Sequence, residues 1–267
     1  MTDWLERCRA AVADVEEVLA RLPTRAEREP VVGAGLGGDE TTAVDRAAEE
    51  AILARFRGLD AAIVSEEAGR VGRGSTVVVV DPVDGSLNAK RGIPFFSLSI
   101  AVAEGETMGD VVFGFVHDFG TGEEWTARRG AGAWLNGEPL GAVRPKAEIE
   151  ILSFEATRTS LVARDAPKVA ALARRLRIMG SLALSLCHLA AGRVDAVCSL
   201  KPARSVDIAA AQLLCCELGL AVELFDVAEP FAAAPLDLAG RSRVAAAGSA
   251  ELCARLASAL GPAAGAA

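Results

Sequence analysis

The stretch that decides the fold is VVVVDPVDGSLN, residues 77–88. Four consecutive β-branched residues are typical of a buried strand. Two aspartates three positions apart, Asp81 and Asp84, follow the valines directly, with a proline between them and Gly85 after them. The proline fixes φ and the glycine permits an unusual backbone conformation, so the segment predicts a tight turn that aims both carboxylates at one point. The Val83 carbonyl would be a third oxygen between them.

The composition predicts a soluble, well-packed protein. The chain has 267 residues, 51% of them hydrophobic, which favours one large domain or two modest ones with a sizeable core. Its first residues carry mixed charges and lack the apolar core of a signal peptide, and no apolar run approaches the roughly 18–20 residues that cross a bilayer. We therefore expect a cytoplasmic protein without a membrane partner.

The net charge and the residue composition limit the kinds of chemistry that this chain could carry out. The net charge is −8 at pH 7 with no lysine- or arginine-rich block, which argues against nucleic acid as a partner. The six cysteines form no C-x-x-C pair, so we expect reduced core thiols rather than a zinc or disulfide site. There are only two histidines and no tyrosine. An enzyme with this sequence would therefore rely on carboxylate chemistry.

The hydrophobic pattern predicts an α+β half followed by an α/β half. In the first half we expect helices over residues 2–22 and 41–56 and a meander of strands at residues 61–65, 76–81, 95–103, 110–118, 123–129 and 132–137. In the second half we expect helices over residues 166–175, 181–192, 206–218 and 249–260 and strands near residues 176–179, 194–200, 221–225 and 242–248. We divide the chain into residues 1–145, which carry the acidic turn, and residues 146–267, which complete the site.

The segment GAGLGG, residues 33–38, matches G-x-G-x-x-G and raises the alternative of a dinucleotide site. That site needs a strand directly before the glycines and a helix start that receives the pyrophosphate. The preceding LPTRAEREPVV is polar and interrupted by prolines, with only two strand-like residues. A mobile glycine loop that leads into the next helix is the better interpretation.

Further acidic residues follow predicted strands or begin predicted helices. They are Glu66 and Glu67 after the strand at 61–65, Asp207 in the first turn of a helix, and Asp45 beside Thr41 and Thr42. Carboxylates that share a site repel one another and stay ionised only with a cation among them. Ligation by oxygen alone suits Mg²⁺, completed by water and a substrate phosphate. Backbone amides at Gly85 and Ser86, where a short helix is expected to begin, would cradle that phosphate.

Each of these features also has a structural interpretation. An Asp-Pro-x-Asp-Gly segment is commonly a capped surface turn, and a Glu-Glu pair after a strand is usually solvated. Asp207 alone would serve as the N-cap of its helix. The conjunction of these features favours metal-assisted phosphoryl hydrolysis.

The same segments together resemble the inositol monophosphatase family, which comprises Mg²⁺-dependent, lithium-sensitive phosphomonoesterases. The resemblance rests on DPVDGSLN followed by GIPFFSLSIAVA, on IVSEEAG upstream and on SVDIAAAQLLCCELG downstream, over about residues 39–219. GSLALSLCHLAAGRVDAV and ARSVDIAAA are most similar to archaeal-type members, which hydrolyse both inositol monophosphate and fructose 1,6-bisphosphate. The resemblance implies a layered αβαβα sandwich that is usually dimeric.

The resemblance also implies roles for individual residues. The metal ligands would be Glu66, Asp81, the Val83 carbonyl, Asp84 and Asp207. The attacking water would be polarised by Asp45 with Thr42, which match a T-x-x-D element, together with Glu66 and Ser86. The substrate would meet the amides of Gly85 and Ser86 and an alcohol pocket at Gly180, Ser181 and Leu182.

The sequence departs from the family pattern at three places. Val206 replaces the aromatic residue that commonly precedes the last aspartate, and the glycine loop lacks its frequent lysine, which leaves a third metal open. Where inositol-specific members place a glutamate, CSLKPARSV offers Lys201 and Arg204. We expect these cations to face a second anionic group and to favour a bisphosphorylated sugar. Exposed loop charges are the alternative.

The sequence therefore predicts a homodimeric, Mg²⁺-dependent phosphomonoesterase whose substrate is a small sugar or polyol phosphate, fructose 1,6-bisphosphate or inositol monophosphate. Two alternatives stay open. Phosphate removal from a 3′-nucleotide or NADP is disfavoured because the pocket sequence has no clear aromatic residue to stack on adenine. A regulatory role as a binding partner of the transcription machinery is disfavoured because every expected ligand is retained.

Overall fold

A computed structural model describes residues 3–36, 40–142, 146, 148–156, 158–227, 230–239 and 242–261. Its helices are α1 (Trp4–Arg21), α2 (Arg25–Arg28), α3 (Ala43–Phe56), α4 (Ser86–Arg91), α5 (Thr159–Val169), α6 (Leu182–Ala190), α7 (Ser205–Glu217) and α8 (Ala250–Leu260). Its strands are β1 (Val31–Ala34), β2 (Glu40–Thr42), β3 (Ala61–Ser65), β4 (Gly69–Gly72), β5 (Thr76–Asp84), β6 (Ser97–Ala103), β7 (Val111–Asp118), β8 (Glu124–Arg128), β9 (Gly132–Leu135), β10 (Glu138–Pro139), β11 (Ile149–Glu155), β12 (Ala173–Arg177), β13 (Ala196–Ser199), β14 (Ala221–Leu224) and β15 (Val244–Ala247).

Two sheets and a small hairpin organise these strands. The first sheet has the order β10-β9-β8-β7-β6-β5-β3-β4, the second has the order β12-β11-β13-β15-β14, and β1 pairs with β2. The first sheet is antiparallel except between β3 and β5. In the second sheet β11 pairs in parallel with both β12 and β13. The predicted order, an antiparallel meander followed by an α/β half, is confirmed.

The helices and sheets form five layers. Helices α1 and α3 cover the outer face of the first sheet, α6 and α7 lie between the two sheets, and α5 and α8 cover the outer face of the second. Successive side chains of the short strand β13 pack into two different layers of the core. Val197 joins the core around the middle helices, whereas Ala196 and Cys198 join the core under the outer helices. The predicted αβαβα sandwich is confirmed.

Two predicted elements of the second half were displaced. The helix expected over residues 166–175 is α5, which ends at Val169, and residues 173–177 form the edge strand β12. Pro167 lies near the end of α5, although proline is commonest in the first turn of a helix, so the local sequence favours a later start. The exposed arginines of β12 suit an edge strand, which charge protects from pairing with other chains, but they conceal its strand character.

The acidic turn and the glycine segment also differ from expectation. Strand β5 does not end at Asp81 but continues to Asp84 through a register irregularity opposite β6, because Asp84 pairs again with Ser97. Gly33, expected in a loop, lies in β1, which pairs antiparallel with β2, and this pairing does not match the strand–helix junction of a dinucleotide site. Residues 37–39 lie outside the described residues, as does residue 145 at the expected boundary between the halves. None of the helices in the described part of the chain combines the length and hydrophobicity of a membrane span.

Helix α7 packs directly on β7 at Gly114, where an added Cβ would lie 2.5 Å from the Ala210 carbonyl oxygen. We predict that Gly114→Ala pushes α7 away from the sheet and lowers the free energy of unfolding by about 1–3 kcal/mol. Urea denaturation measures the change. Gly141→Ala is the matched control, because a Cβ there meets open space, and it should stay within about 0.5 kcal/mol of the wild type. Equal losses in both variants would contradict the close approach of α7.

Candidate active site

A cavity of about 290 Å³ is lined by both halves of the chain. The predicted site residues that line it are Asp45, Glu66, Asp81, Val83, Asp84, Gly85, Ser86, Gly180, Leu182, Lys201, Arg204 and Asp207. Thr42 and Ser181 are not among the lining residues, and both are buried against aspartates that are. The structure therefore gathers predicted residues that are up to 162 positions apart, Asp45 to Asp207, around one space.

Glu66 stands on the turn that follows β3. Glu49 of α3 holds this turn from behind, because its Oε1 accepts hydrogen bonds from Ser65 Oγ at 2.5 Å and from the Ala68 amide at 2.9 Å. Glu49 is itself buried. The position of Glu66 is thus fixed by a second carboxylate that does not line the cavity.

Asp81 and Asp84 are placed by the irregular end of β5. The Val83 amide donates to Asp81 Oδ1 at 3.1 Å, which closes a local turn over the intervening proline. Gly85 then adopts a φ of 94°, in the left-handed region. A Cβ at Gly85 would also lie 3.1 Å from the Gly180 carbonyl oxygen. The glycine is therefore required by both backbone conformation and space where α4 begins.

The second half of the chain fixes the Asp84 carboxylate. Asp84 Oδ2 accepts hydrogen bonds from Ser181 Oγ at 2.5 Å and from the Ala183 amide at 2.8 Å. The Ser181 hydroxyl also accepts a bond from the Leu184 amide at 3.2 Å and so caps α6. Ser181, expected in the alcohol pocket, is thus placed behind Asp84, where it ties the start of α6 to the end of β5.

Asp45 presents one engaged and one unengaged carboxylate oxygen. Its Oδ2 accepts hydrogen bonds from Thr42 Oγ1 at 2.5 Å and from the Thr42 amide at 3.0 Å. Its Oδ1 is buried and has no hydrogen-bond partner within the described residues. A buried oxygen without a partner is costly. This atom therefore offers an acceptor to a water or ligand in the cavity.

Arg204 and Asp207 share the first turn of α7. Asp207 Oδ2 accepts a hydrogen bond from the Arg204 amide at 2.6 Å. The Arg204 side chain turns into the cavity, where its Nη2 donates to Glu66 Oε1 and, at 3.3 Å, to Asp207 Oδ1. This side chain is only 6% exposed, so Arg204 is not an exposed loop charge. Lys201, from the same segment, lines the same cavity.

Burial and mutual repulsion raise the pKa values of acidic groups in the cavity. Burial raises the pKa of the Glu66 carboxyl to about 7, with Arg204 opposing the shift and Asp207 adding to it. Burial and the charges of Glu66 and Asp84 raise the pKa of Asp81 well above its ordinary value. Burial, reinforced by Asp207, raises the pKa of Asp84 to about 7. The cluster is therefore short of positive charge.

The chemistry of the donors fits a hard cation. Carboxylates and the Val83 carbonyl form an all-oxygen set, and Asp45 adds an unengaged oxygen nearby. No group of three acidic, histidine or cysteine side chains among the described residues is arranged to hold a metal as it stands. The guanidinium of Arg204 engages oxygens of Glu66 and Asp207 in the same cavity.

Two buried glutamates that support the site escaped the sequence analysis. Glu155, at the end of β11, accepts hydrogen bonds from the Gly180 amide at 2.8 Å and from Ser185 Oγ at 2.9 Å. It thereby holds the loop that leads into α6, and it lines the cavity. The sequence did contain an indication that Glu49 supports the site, because it lies four residues after Asp45 and so on the same face of α3. It contained none for Glu155, since its strand was not predicted.

Known proteins resemble this chain in sequence and in fold. A sequence model of the inositol monophosphatase family matches residues 5–261. A fructose-1,6-bisphosphatase/inositol-1-monophosphatase of Archaeoglobus fulgidus is 34% identical over 206 residues, 77% of each chain. The Nus factor SuhB of Pasteurella multocida is 35% identical over 195 residues, 68% of this chain and 70% of that one. A crystal structure of an inositol monophosphatase–fructose 1,6-bisphosphatase superposes with a TM-score of 0.85 at 29% identity, covering 97% of this chain and all of the other. The predicted resemblance is confirmed.

We predict that Asp81→Asn stabilises the protein when divalent cations are removed. Asp81 is buried and is repelled by Glu66 and Asp84, so a neutral amide removes unfavourable charge and should raise the free energy of unfolding by about 1–3 kcal/mol. Urea denaturation in excess EDTA at about pH 8 measures this change. Asp14→Asn, which removes a carboxylate from an exposed pair with Arg55, is the control and should not stabilise. A destabilised Asp81→Asn variant would show that this carboxylate is not strained by its neighbours.

Proposed function

This chain belongs to the inositol monophosphatase family and is a hydrolase of phosphate monoesters, and we propose that it uses Mg²⁺ in the acidic cavity to hydrolyse a small sugar or polyol phosphate. The family is metal dependent. The observation that carries the proposal is one cavity on which acidic residues from three separate parts of the chain converge: Glu66, Asp81, Asp84 and Asp207. Clustered carboxylates of this kind are suited to divalent cations.

The proposed metal ligands are those that the resemblance implies: Glu66, Asp81, the Val83 carbonyl, Asp84 and Asp207. Magnesium, when bound, would lower the pKa of a water and neutralise charge on the phosphate. The ligand positions are supported from outside the cavity by Glu49 behind the turn of Glu66 and by Ser181 behind Asp84. These supports fix the ligand oxygens before a cation arrives.

Asp45 is proposed to orient the attacking water. Thr42 engages one of its carboxylate oxygens through two hydrogen bonds, which leaves Oδ1 to accept a proton or a hydrogen bond from a water in the cavity. Ser86 is proposed to assist, and its hydroxyl donates to the Val83 carbonyl at 2.9 Å. Glu66 shares this role in the proposal, because it lines the same space.

The substrate is proposed to lie between the start of α4 and the loop before α6. The amides of Gly85 and Ser86 would hold the phosphate, and both residues line the cavity. Gly180 and Leu182 also line the cavity and would meet the alcohol, with Ser181 behind Asp84. The left-handed conformation of Gly85 supports this placement, because the residue lies so close to Gly180 that an added Cβ would be 3.1 Å from the Gly180 carbonyl oxygen.

Lys201 supports a substrate with a second anionic group. It lines the same cavity as the carboxylates, and relatives of this chain include enzymes named for fructose 1,6-bisphosphate. Arg204 contributes less directly to this expectation, because its guanidinium pairs with Glu66 and Asp207. We also propose a cytoplasmic homodimer, as the resemblance implies. All six cysteines are free and five are buried, which suits a reducing compartment.

We predict that Asp84→Asn lowers phosphate release by at least about a hundredfold, because it removes a ligand charge from the metal site. Phosphate release from fructose 1,6-bisphosphate and inositol 1-phosphate in Mg²⁺ measures the effect, with Asp14→Asn as the surface control that keeps full activity. An Asp84→Asn variant as active as the control would contradict the proposed site. A wild type that releases no phosphate, but binds the transcription machinery equally well with and without the substitution, would favour the regulatory role.

Lys201→Ala tests whether the substrate carries a second anionic group. We expect it to raise KM for fructose 1,6-bisphosphate about tenfold, because a charge-assisted contact to the second phosphate is lost, and to leave KM for inositol 1-phosphate within about twofold. Steady-state kinetics on both substrates make the comparison. Lys146→Ala, which removes an exposed lysine on the second half, is the matched control. Equal effects of Lys201→Ala on both substrates would end the proposal of a second anionic group.

A further inference from the structure

The side chain of Arg204 lies where a bound metal would compete with it. Its Nη2 contacts Glu66 Oε1 and Asp207 Oδ1, one carboxylate from each half of the chain. The three side chains are only 6%, 14% and 16% exposed, so water screens the contact weakly. The guanidinium therefore supplies part of the positive charge that the cavity needs in the absence of a metal.

The charges around Arg204 favour this inward position strongly. Burial disfavours its charged form, but Asp207, Glu66 and also Asp81 together raise the pKa of the guanidinium above its ordinary value. The attraction of Asp81 is notable because no hydrogen bond joins it to Arg204 within the described residues. Arg204 is thus attracted by three carboxylates of the cavity, as a metal ion would be.

Exchange between guanidinium and metal would require little movement of the backbone. The Arg204 amide is fixed by its bond to Asp207 Oδ2 at 2.6 Å, which belongs to the capping of α7. Rotation of the side chain alone frees Glu66 Oε1 and Asp207 Oδ1, and the helix start stays in place. The long, flexible stem of an arginine permits such a rotation.

We propose that Arg204 is a built-in counter-cation that competes with the metal for Glu66 and Asp207 and so sets the metal concentration that the enzyme requires. The proposal rests on the proposed function, because it assumes that this cavity binds Mg²⁺. It makes Arg204 a positioning residue for Glu66 and Asp207 and a competitor of the metal.

Isothermal titration of the chelator-treated full-length protein with Mg²⁺ alone tests the competition. We expect Arg204→Gln to bind Mg²⁺ about tenfold more tightly than the wild type, because no cation has to be displaced. Arg204→Lys keeps a positive charge and should stay within about threefold of the wild type. The rise in Tm on addition of Mg²⁺ should be larger for Arg204→Gln, since its metal-free state holds uncompensated carboxylates.

Arg70→Gln is the matched control, because it removes a guanidinium–carboxylate pair, with Glu106, that lies outside the cavity. Its Mg²⁺ affinity should equal that of the wild type. A folded Arg204→Gln variant with unchanged or weaker affinity overturns the competition, even where the wild type binds Mg²⁺ and releases phosphate. If Arg204→Gln is unfolded without metal, refolding at Mg²⁺ concentrations below the wild-type Kd supports the competition. Failure to refold at those concentrations overturns it. A wild type that neither binds Mg²⁺ nor releases phosphate overturns the proposed function itself.

Discussion

Carboxylates buried in one cavity repel one another, and the surrounding structure has to hold them together against that repulsion. A buried charge without compensation is among the costliest features a fold can contain. Here the compensation comes from separate elements. Asp84 receives donors from the start of α6, Asp207 is held by the backbone of its own helix turn, and Glu49 fixes the turn that carries Glu66. The carboxylates are therefore held in place by contacts within the protein, although burial and their neighbours raise the pKa values of Glu66 and Asp84 to about 7.

The ion pairs of this protein differ in what they contribute. Arg70 and Glu106 form an exposed pair, 46% and 59% accessible, and such pairs add little to stability because water screens them. The pair of Arg204 with Glu66 is almost fully buried, and removal of either partner would leave a charge without compensation. Arg204 and a divalent cation are thus alternative sources of the positive charge that the buried carboxylates need, and Arg204 is part of the chain itself.

Much of the fold and the site could be predicted because the signals were local. Strand β3 followed its apolar run, and Asp81 and Asp84 lay within a few residues of the valines that bury them. The failures share a cause, which is that side-chain direction depends on distant packing. Exposed arginines concealed β12, and Glu155 was missed together with β11. The loop with a lysine and an arginine suggested two cations that face substrate or solvent. In the structure Arg204 instead turns inward, to carboxylates that are distant in sequence or on its own helix turn.

The division of the chain near residue 145 describes the order of its sheets better than it describes function. The donors to Asp84 come from Ser181 and Ala183 of the second half, and the buried partner of Glu66 is Arg204, also from the second half. Neither half alone would satisfy its own buried charges, so assembly of the site and docking of the halves are one event. A cation held by ligands from both halves binds only the docked state, and it would stabilise that docking in proportion to its own binding free energy. In the proposed metal site, metal affinity and the docking of the halves would therefore depend on the same few oxygens.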